Sequence, residues 1–349
     1  MPQVTGIFVT WGLNFAALRL FAHMKVSLRT LLQLLAGIGL SAVLLYLTFQ
    51  DRSFSSLTDA MKQADMFWFF WCGVAQFLIL MLRSFRWQML LRSAGYPSRT
   101  GTTLLSTFIC YMVNSLTPKL GEVVRCTVLL RTDKVPISAS LGTVVSERVI
   151  DLLVLLGGLG VIFLTEFARF GNLFTPVFEK FTLQTALIAG VVIAVLIVGA
   201  WLFFRYSPRL SGIMGKIAHF IRQTLDAARS VFRMRRAWLF LTYTFLIWVI
   251  SIVMNYFFLK ALPETVGLGM YFAYLLLFLG GIGWAFPVPG GIGPTNFIIL
   301  QVFLAYGLTR EAGQNIGLLT SGGTFVFMVG FGIIAWFILL GRLARKQVA

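Results

Sequence analysis

Repeated apolar runs, each about the length of a membrane-crossing helix, are the main constraint on this chain. About 20 residues of helix span the roughly 30 Å of bilayer hydrocarbon, and a helix satisfies its own backbone hydrogen bonds there. Of the 349 residues, 58% are hydrophobic and only 12% are charged. The runs predicted to span are 31–49, 66–82, 141–164, 183–204, 238–259 and 325–340. The sequence therefore predicts an all-α polytopic helical membrane protein, with 1–349 as a single integral membrane domain.

The positive charges fall mainly on one side of these runs. If both termini are cytoplasmic, the inner segments hold 22 of the 29 Lys and Arg residues, and the outer segments hold six. Cytoplasmic loops of membrane proteins are enriched in this way. The net charge of +17 is thus attributed to loops and anionic headgroups, and no nucleic-acid partner is expected. These counts predict a multi-pass protein of the cell (inner) membrane with both termini cytoplasmic.

Two segments outside the apolar runs are predicted to lie at the membrane surface or to precede the protein's functional start. Residues 1–23 carry no signal-peptide cleavage pattern, so they are either an interfacial segment or an over-long start. Residues 205–236 contain eight basic residues and one acid, with apolar residues at helical spacing. Such a pattern predicts a basic, amphipathic cytoplasmic segment on the membrane surface.

Polar residues interrupt the apolar sequence at a first break, within 102–131. Asn114, Pro118, Gly121, Glu122 and Arg125 would be costly in hydrocarbon unless protein or water satisfies them. A helix, a break and a half-helix together predict a re-entrant hairpin. Glu122 and Arg125 share a helical face, and the open helix start with a nearby guanidinium suits a phosphate. The alternative is a structural ion pair that plugs a broken helix.

A second break, rich in Pro and Gly, interrupts 271–306. Its glycines would let the backbone approach a substrate closely, and the alternative is a tight turn between two spans. The predicted site residues here are Pro289, Gly290, Gly291, Gly293 and Asn296. By charge counting, the two breaks enter from opposite faces, as in inverted-repeat transporters. Two full crossings at each break would give the same parity, so both arrangements stay open.

Two further charged groups are candidates. Glu147 and Asp151 lie four residues apart and face the same way, so either a cation is expected between them or one of them is expected to be protonated. Arg148 can reach Asp151, and the alternative is a salt-bridge network at the inner interface. Arg83 and Arg86 follow a span, where a lipid-headgroup contact is expected.

Several classes of activity have no support in the sequence. Cys72, Cys110 and Cys126 lie in apolar context without metal spacing, and only two histidines exist. No metal and no cofactor are expected. A phosphate-binding loop of the Walker type is missing, so ATP does not drive any transport from within this chain. The chain is therefore not expected to be an enzyme.

Several motifs resemble the lysylphosphatidylglycerol synthase transmembrane-region family, which includes the flippase half of the multiple peptide resistance factor. The resemblance covers about 25–345 and implies translocation of a phosphate-bearing lipid between leaflets. It implies an anionic or aminoacylated phospholipid, or an isoprenoid phosphate, as the partner. The motif residues are Arg86, Trp87, Leu90, Leu91, Asn114, Pro118, Gly121, Glu122, Arg125, Glu147, Arg148, Asp151, Pro289, Gly290, Gly291, Ile292 and Gly293.

The chain departs from that family's full synthase. It has no soluble aminoacyl-transferase domain, so synthesis of lysyl-lipid is not expected. Pro294, Thr295 and Asn296 follow the Gly-rich loop where many relatives carry a charge, which leaves the substrate type open. An enzyme or accessory subunit acting on polyprenyl-phosphate-linked substrates is the alternative function, and a structural subunit is a third. The oligomeric state is left open.

Overall fold

The computed structural model describes residues 28–166 and 236–348, together with Met234. Residues 1–23, the predicted span 183–204 and nearly all of the basic segment 205–236 lie outside the described residues. Throughout the described part the regular secondary structure is helical, as predicted. The helices are α1 (Leu28–Phe49), α2 (Phe54–Lys62), α3 (Met66–Ser93), α4 (Thr100–Leu116), α5 (Gly121–Asp133), α6 (Ile137–Thr165), α7 (Ala237–Ala261), α8 (Met270–Gly283), α9 (Pro294–Ala305) and α10 (Arg310–Val348), with a 3₁₀ turn at Pro289–Gly291.

Four helices in the described part are long and apolar enough to cross a membrane. They are α3, α6, α7 and α10, and α1 adds a shorter apolar stretch, Leu35–Phe49. The prediction of a polytopic helical membrane protein is therefore confirmed. Two of these helices extend more than ten residues beyond the apolar runs that predicted them. α3 continues through the polar residues 83–93, because several of their side chains are buried, and α10 begins at Arg310 rather than near residue 316.

The chain divides into two compact units, and each is described by itself. One comprises the residues up to Leu141 and those from Leu241 onward, and the other comprises Gly142–Phe240. The core of the first unit lies where α3, α4, α5 and α10 meet. Its buried members are Leu80, Leu105, Phe108, Ile109, Tyr111, Val113, Val124, Val128, Met328, Ala335 and Leu339. The prediction of a single domain over 1–349 stays a prediction.

Glycines bring the long helices of the first unit close together. A Cβ at Gly332 of α10 would lie 2.2 Å from Cβ of Met112 on α4. A Cβ at Gly73 of α3 would lie 2.9 Å from the ring of Phe327. Helices in a membrane gain little from the hydrophobic effect and associate through such close packing of small residues. These contacts hold α10 against α4, which leads into the first break, and against α3.

Both predicted breaks are present, and the helices beside them are short. The pair α4 and α5 contain 17 and 13 residues, and the pair α8 and α9 contain 14 and 12. At 1.5 Å per residue, each helix is shorter than the roughly 30 Å of bilayer hydrocarbon. Whether each pair re-enters or crosses stays a prediction.

Polar contacts join the end of α1 to the start of α10. Arg310 Nε lies 3.0 Å from Asp51 Oδ2, and Gln314 Nε2 donates to the Thr48 backbone oxygen at 2.6 Å. The ion pair is partly exposed and contributes little stability, whereas Gln314 is buried. These contacts hold the end of α1 against the start of α10.

Candidate functional site

Asn114 closes the first break. Its Oδ1 accepts a hydrogen bond from the Gly121 N–H at 2.9 Å, and its Nδ2 lies 3.7 Å from Cys110 Sγ. One amide thus joins the last turns of α4 to the first residue of α5. The N–H groups of Val123 and Val124 donate to the Leu120 oxygen. The donors expected to await an anion at the start of α5 are therefore largely used within the protein.

Gly121 allows α4 and α5 to lie against each other at this break. A Cβ at this position would be 2.0 Å from the backbone oxygen of Cys110 and 2.8 Å from Asn114 Oδ1. Any side chain larger than hydrogen would collide with main-chain atoms. The glycine predicted from the sequence is accordingly a packing contact between two half-helices, beside the partly buried Pro118.

Arg125 lies in the protein interior, one turn into α5. It is 1% exposed, and its guanidinium carbon lies 4.4 Å from the centre of the Trp87 ring. Cation–π contacts of this kind are strongest where water is excluded. Glu122, on the same helix, is only partly buried. Trp87 was one of the motif residues but was not predicted as a site residue. Its position next to Arg86, in a polar stretch, could have indicated its contact with a cation.

The two arginines expected at lipid headgroups lie in different surroundings. Arg83 is partly buried, with its guanidinium carbon 5.6 Å from the ring centre of Tyr111. Arg86 is 0% exposed, and its Nη1 donates to Thr244 Oγ1 at 3.3 Å. Arg86 thus lies between α3 and α7 rather than at the surface, where a headgroup contact was expected. The headgroup contact expected of Arg83 and Arg86 stays a prediction.

Three glycines shape the second break. Gly290, Gly291 and Gly293 have φ values of 59°, 68° and 97°, in the region that side-chain-bearing residues rarely adopt. Pro289 begins the 3₁₀ turn, which includes Gly290 and Gly291. The glycines predicted to admit a substrate therefore also have a conformational reason to be there.

Asn296 has the same role at the second break as Asn114 has at the first. It is fully buried, and its Oδ1 accepts a hydrogen bond from the Gly293 N–H at 3.2 Å. Its Nδ2 donates to Ser321 Oγ on α10 at 3.0 Å. At each break, an asparagine side chain accepts an N–H where the second half-helix begins.

We expect the replacement Asn296→Ala to lower the free energy of unfolding by about 1–3 kcal/mol, because it leaves the buried Gly293 N–H without its acceptor. Thermal unfolding of the detergent-purified protein would measure this. Ser321→Ala is the matched comparison, since it removes the acceptor of Asn296 Nδ2 on α10 and leaves the contact of Asn296 with Gly293 in place. Equal stability of Asn296→Ala and the wild type would contradict this role.

α1 forms one wall of the second break. A Cβ at Gly37 would be 2.3 Å from the Pro287 oxygen, and Ser41 Oγ donates to the Ile292 oxygen at 2.8 Å. A Cβ at Gly293 would be 2.8 Å from the Ser41 oxygen. This contact was not predicted from the sequence. Gly37 and Ser41, two small residues four apart, could have indicated it, since such pairs are typical of close helix contacts.

The two breaks meet each other. Lys119 Nζ, in the first break, donates to the Ala285 backbone oxygen, in the second, at 3.1 Å. A Cβ at Gly290 would lie 3.5 Å from the Ser115 oxygen. The structure therefore brings together the site residues predicted at 114–125 and at 289–296. Lys119, which was not among them, makes the polar contact between the two groups.

The third predicted group lies on α6, in the second unit. Glu147 is 1% exposed, while Arg148 and Asp151 are partly buried. The proton or cation site predicted for Glu147 and Asp151 stays a prediction. Within the described ranges 28–166 and 236–348, no three His, Cys, Asp or Glu residues lie close enough to hold a metal ion.

Residues 34–332 match the family model described as the lysylphosphatidylglycerol synthase TM region. The chain belongs to this family. The match includes both breaks, α6 and the part of α1 that contacts the second break. The family assignment expected from the motif residues is thereby confirmed.

Two curated proteins are similar to this family member. A UPF0104 membrane protein of Methanothermobacter thermautotrophicus is 25% identical over 279 residues, which cover 72% of this chain and 78% of the relative. A UPF0104 membrane protein of Methanocaldococcus jannaschii is 21% identical over 343 residues, 93% of this chain and 98% of that protein. No solved structure matches the chain. Both relatives are described as membrane proteins, in agreement with the apolar helices.

Proposed function

We propose that this member of the lysylphosphatidylglycerol synthase TM-region family moves a phosphate-bearing lipid between the leaflets of the cell membrane. The observation that supports it most is the meeting of the two broken hairpins, joined by the 3.1 Å contact from Lys119 to Ala285. Transporters build substrate sites where discontinuous helices meet near the middle of the bilayer. Both termini are cytoplasmic in this proposal, as the charge distribution favours.

The short helices support hairpins that enter the membrane and return. Each of α4, α5, α8 and α9 is too short to cross the hydrocarbon comfortably. Non-helical backbone is tolerated at membrane depth only where it is buried in protein or lines a water-filled cavity. In this proposal the two breaks lie at such a depth, and they form the place where a lipid headgroup passes.

The charges at the first break support a polar headgroup as the cargo. Arg125 is buried against Trp87, and Glu122 occupies the first turn of α5. Ionisable groups inside a membrane bundle are costly and usually functional. A lipid phosphate needs cationic partners to leave the surface, and the first break offers them.

A reconstituted flippase assay tests this proposal. The protein is placed in proteoliposomes with a fluorescent nitrobenzoxadiazole-labelled phosphatidylglycerol, and dithionite added outside quenches lipid that reaches the outer leaflet. We expect Glu122→Gln to slow translocation about tenfold, which corresponds to about 1.4 kcal/mol in the barrier, because a carboxylate kept inside a membrane bundle is usually functional. The substitution keeps size and shape, so the fold is expected to persist. Asp59→Asn on α2 is the matched control, because Asp59 is exposed and pairs with Lys62.

Three outcomes separate the alternatives. If the labelled lipid is quenched no faster in liposomes with wild-type protein than in empty liposomes, the proposal is overturned. A Glu122→Gln variant as fast as wild type would remove this residue from the path. Mass spectrometry of the recovered lipid extends the test, because a lost or altered headgroup would favour an enzyme instead.

A further inference from the structure

We infer that Lys119 selects the cargo, by binding lipids whose headgroup carries a net negative charge on its phosphate. This inference rests on the proposed function and narrows its substrate class. Lys119 lies at the junction of the two breaks, and its exposed ammonium donates to the Ala285 oxygen. It would exchange that carbonyl for a phosphate oxygen when a lipid enters.

Accessibility distinguishes Lys119 from the other cation of the first break. Arg125 is 1% exposed and packs over the Trp87 ring, so a headgroup reaches it only if the packing of α3 against α5 opens. Lys119 is exposed as the structure stands. The first cation that an arriving phosphate can contact at the breaks is therefore Lys119.

The present partner of Lys119 is one that a phosphate can replace. The Ala285 oxygen lies immediately past the C-terminal end of α8, where the helix dipole attracts a cation. Within the described part of the chain, the Ala285 oxygen is the acceptor of the hydrogen bond that the Lys119 ammonium donates. A hydrogen bond between two ionised groups is stronger than one to a neutral carbonyl. An ammonium held by a carbonyl is thus kept in position without being neutralised.

The backbone of Lys119 supports a role beyond connecting two helices. Its φ is 59°, a conformation that non-glycine residues seldom adopt. Lys134 has the same φ, but it occupies the C-cap of α5, where left-handed residues are common. Lys119 caps no helix, since Thr117 is the C-cap of α4. Uncommon backbone conformations of this kind cluster at ligand sites and switches.

The sign of the charge narrows the cargo. An exposed ammonium attracts a lipid with net negative charge, such as phosphatidylglycerol or an isoprenoid phosphate. It gains less from a zwitterionic lipid, in which the headgroup's own cation offsets the phosphate. A positively charged aminoacylated lipid would be repelled. Lys119 therefore favours the anionic members of the lipid classes that the motifs imply.

The test compares two fluorescent lipids in the proteoliposome assay, phosphatidylglycerol and phosphatidylcholine. The measured quantity is the ratio of their initial translocation rates. We expect Lys119→Gln to lower this ratio at least about fivefold, as the loss of a charged contact predicts, and Lys119→Arg to retain most of it. Lys134→Gln, which removes an exposed lysine of the same φ from the other end of α5, is expected to leave the ratio unchanged.

Each other result has a distinct meaning. If Lys119→Gln slows both lipids equally, the residue supports the structure and the selection is overturned. If it accelerates both, Lys119 only holds the two breaks together, which also overturns it. Wild-type protein that moves neither lipid overturns the proposed function, and that outcome is visible before any variant is compared.

Discussion

Gly121→Ala is expected to lower the free energy of unfolding by about 3 kcal/mol or more, at the upper end of what overpacking costs. The added methyl group would lie 2.0 Å from the Cys110 oxygen, which is a main-chain atom and cannot rotate away. Relief requires α4 and α5 to move apart, and that movement stretches the hydrogen bond from Gly121 to Asn114. Thermal unfolding in detergent, followed by size-exclusion chromatography, would measure the loss.

Gly39→Ala provides the control for this experiment. Nothing lies within 4 Å of a Cβ at Gly39, on α1, and alanine favours a helix more than glycine does. This variant is expected to unfold at or slightly above the wild-type temperature. If Gly121→Ala were as stable as Gly39→Ala, the close approach of α4 and α5 would be refuted.

Gly283→Ala is expected to have a comparable effect at the second break. A Cβ there would lie 2.3 Å from Thr295 Oγ1 and 2.6 Å from the Thr295 nitrogen. The collision involves the first turn of α9, so the half-helix must shift as a body. We expect a fall of about 2–3 kcal/mol in the free energy of unfolding and loss of translocation, measured by thermal unfolding and by the proteoliposome assay.

Gly280→Ala, one turn earlier on the same helix, is its matched control. A Cβ at Gly280 would lie 3.6 Å from Ile299 and Thr295, an ordinary van der Waals distance. The two variants add the same group to the same helix, facing the same partner. Similar melting temperatures for both would mean that α8 and α9 are not as close as described.

The long helices and both breaks could be predicted from sequence because their causes are local. The apolar run of α7 is long enough to span by itself, whatever it packs against. Pro118 removes a backbone donor and Gly121 weakens a helix through their own chemistry, and the same holds for the prolines and glycines of 287–294. The end of α3 was predicted too early, at residue 82 instead of Ser93. Its last turns contain polar residues that are buried in the protein, and low hydropathy there was taken as the end of the membrane span.

The surroundings of individual charges could not be predicted, because they depend on distant partners. Arg83 and Arg86 look alike in the sequence, yet one lies near Tyr111 and the other is buried against Thr244. The same holds for Arg125, whose Trp87 partner lies on a different helix. Lys119 lies within the first break but was not predicted as a site residue. Its positive φ could not be predicted, because only glycine indicates such a conformation in a sequence.

The packing of α1 on the second break has a consequence for biosynthesis. Ser41 and Ile292, which share a hydrogen bond, are 251 residues apart. During translation, α1 enters the membrane long before the segment it supports has been made. Its small-residue face must stay unfilled, or be occupied by lipid or an insertion factor, until nearly the whole chain has emerged. Closure of the second break is therefore among the last steps of assembly, and a chain truncated before residue 287 would leave that face without its partner.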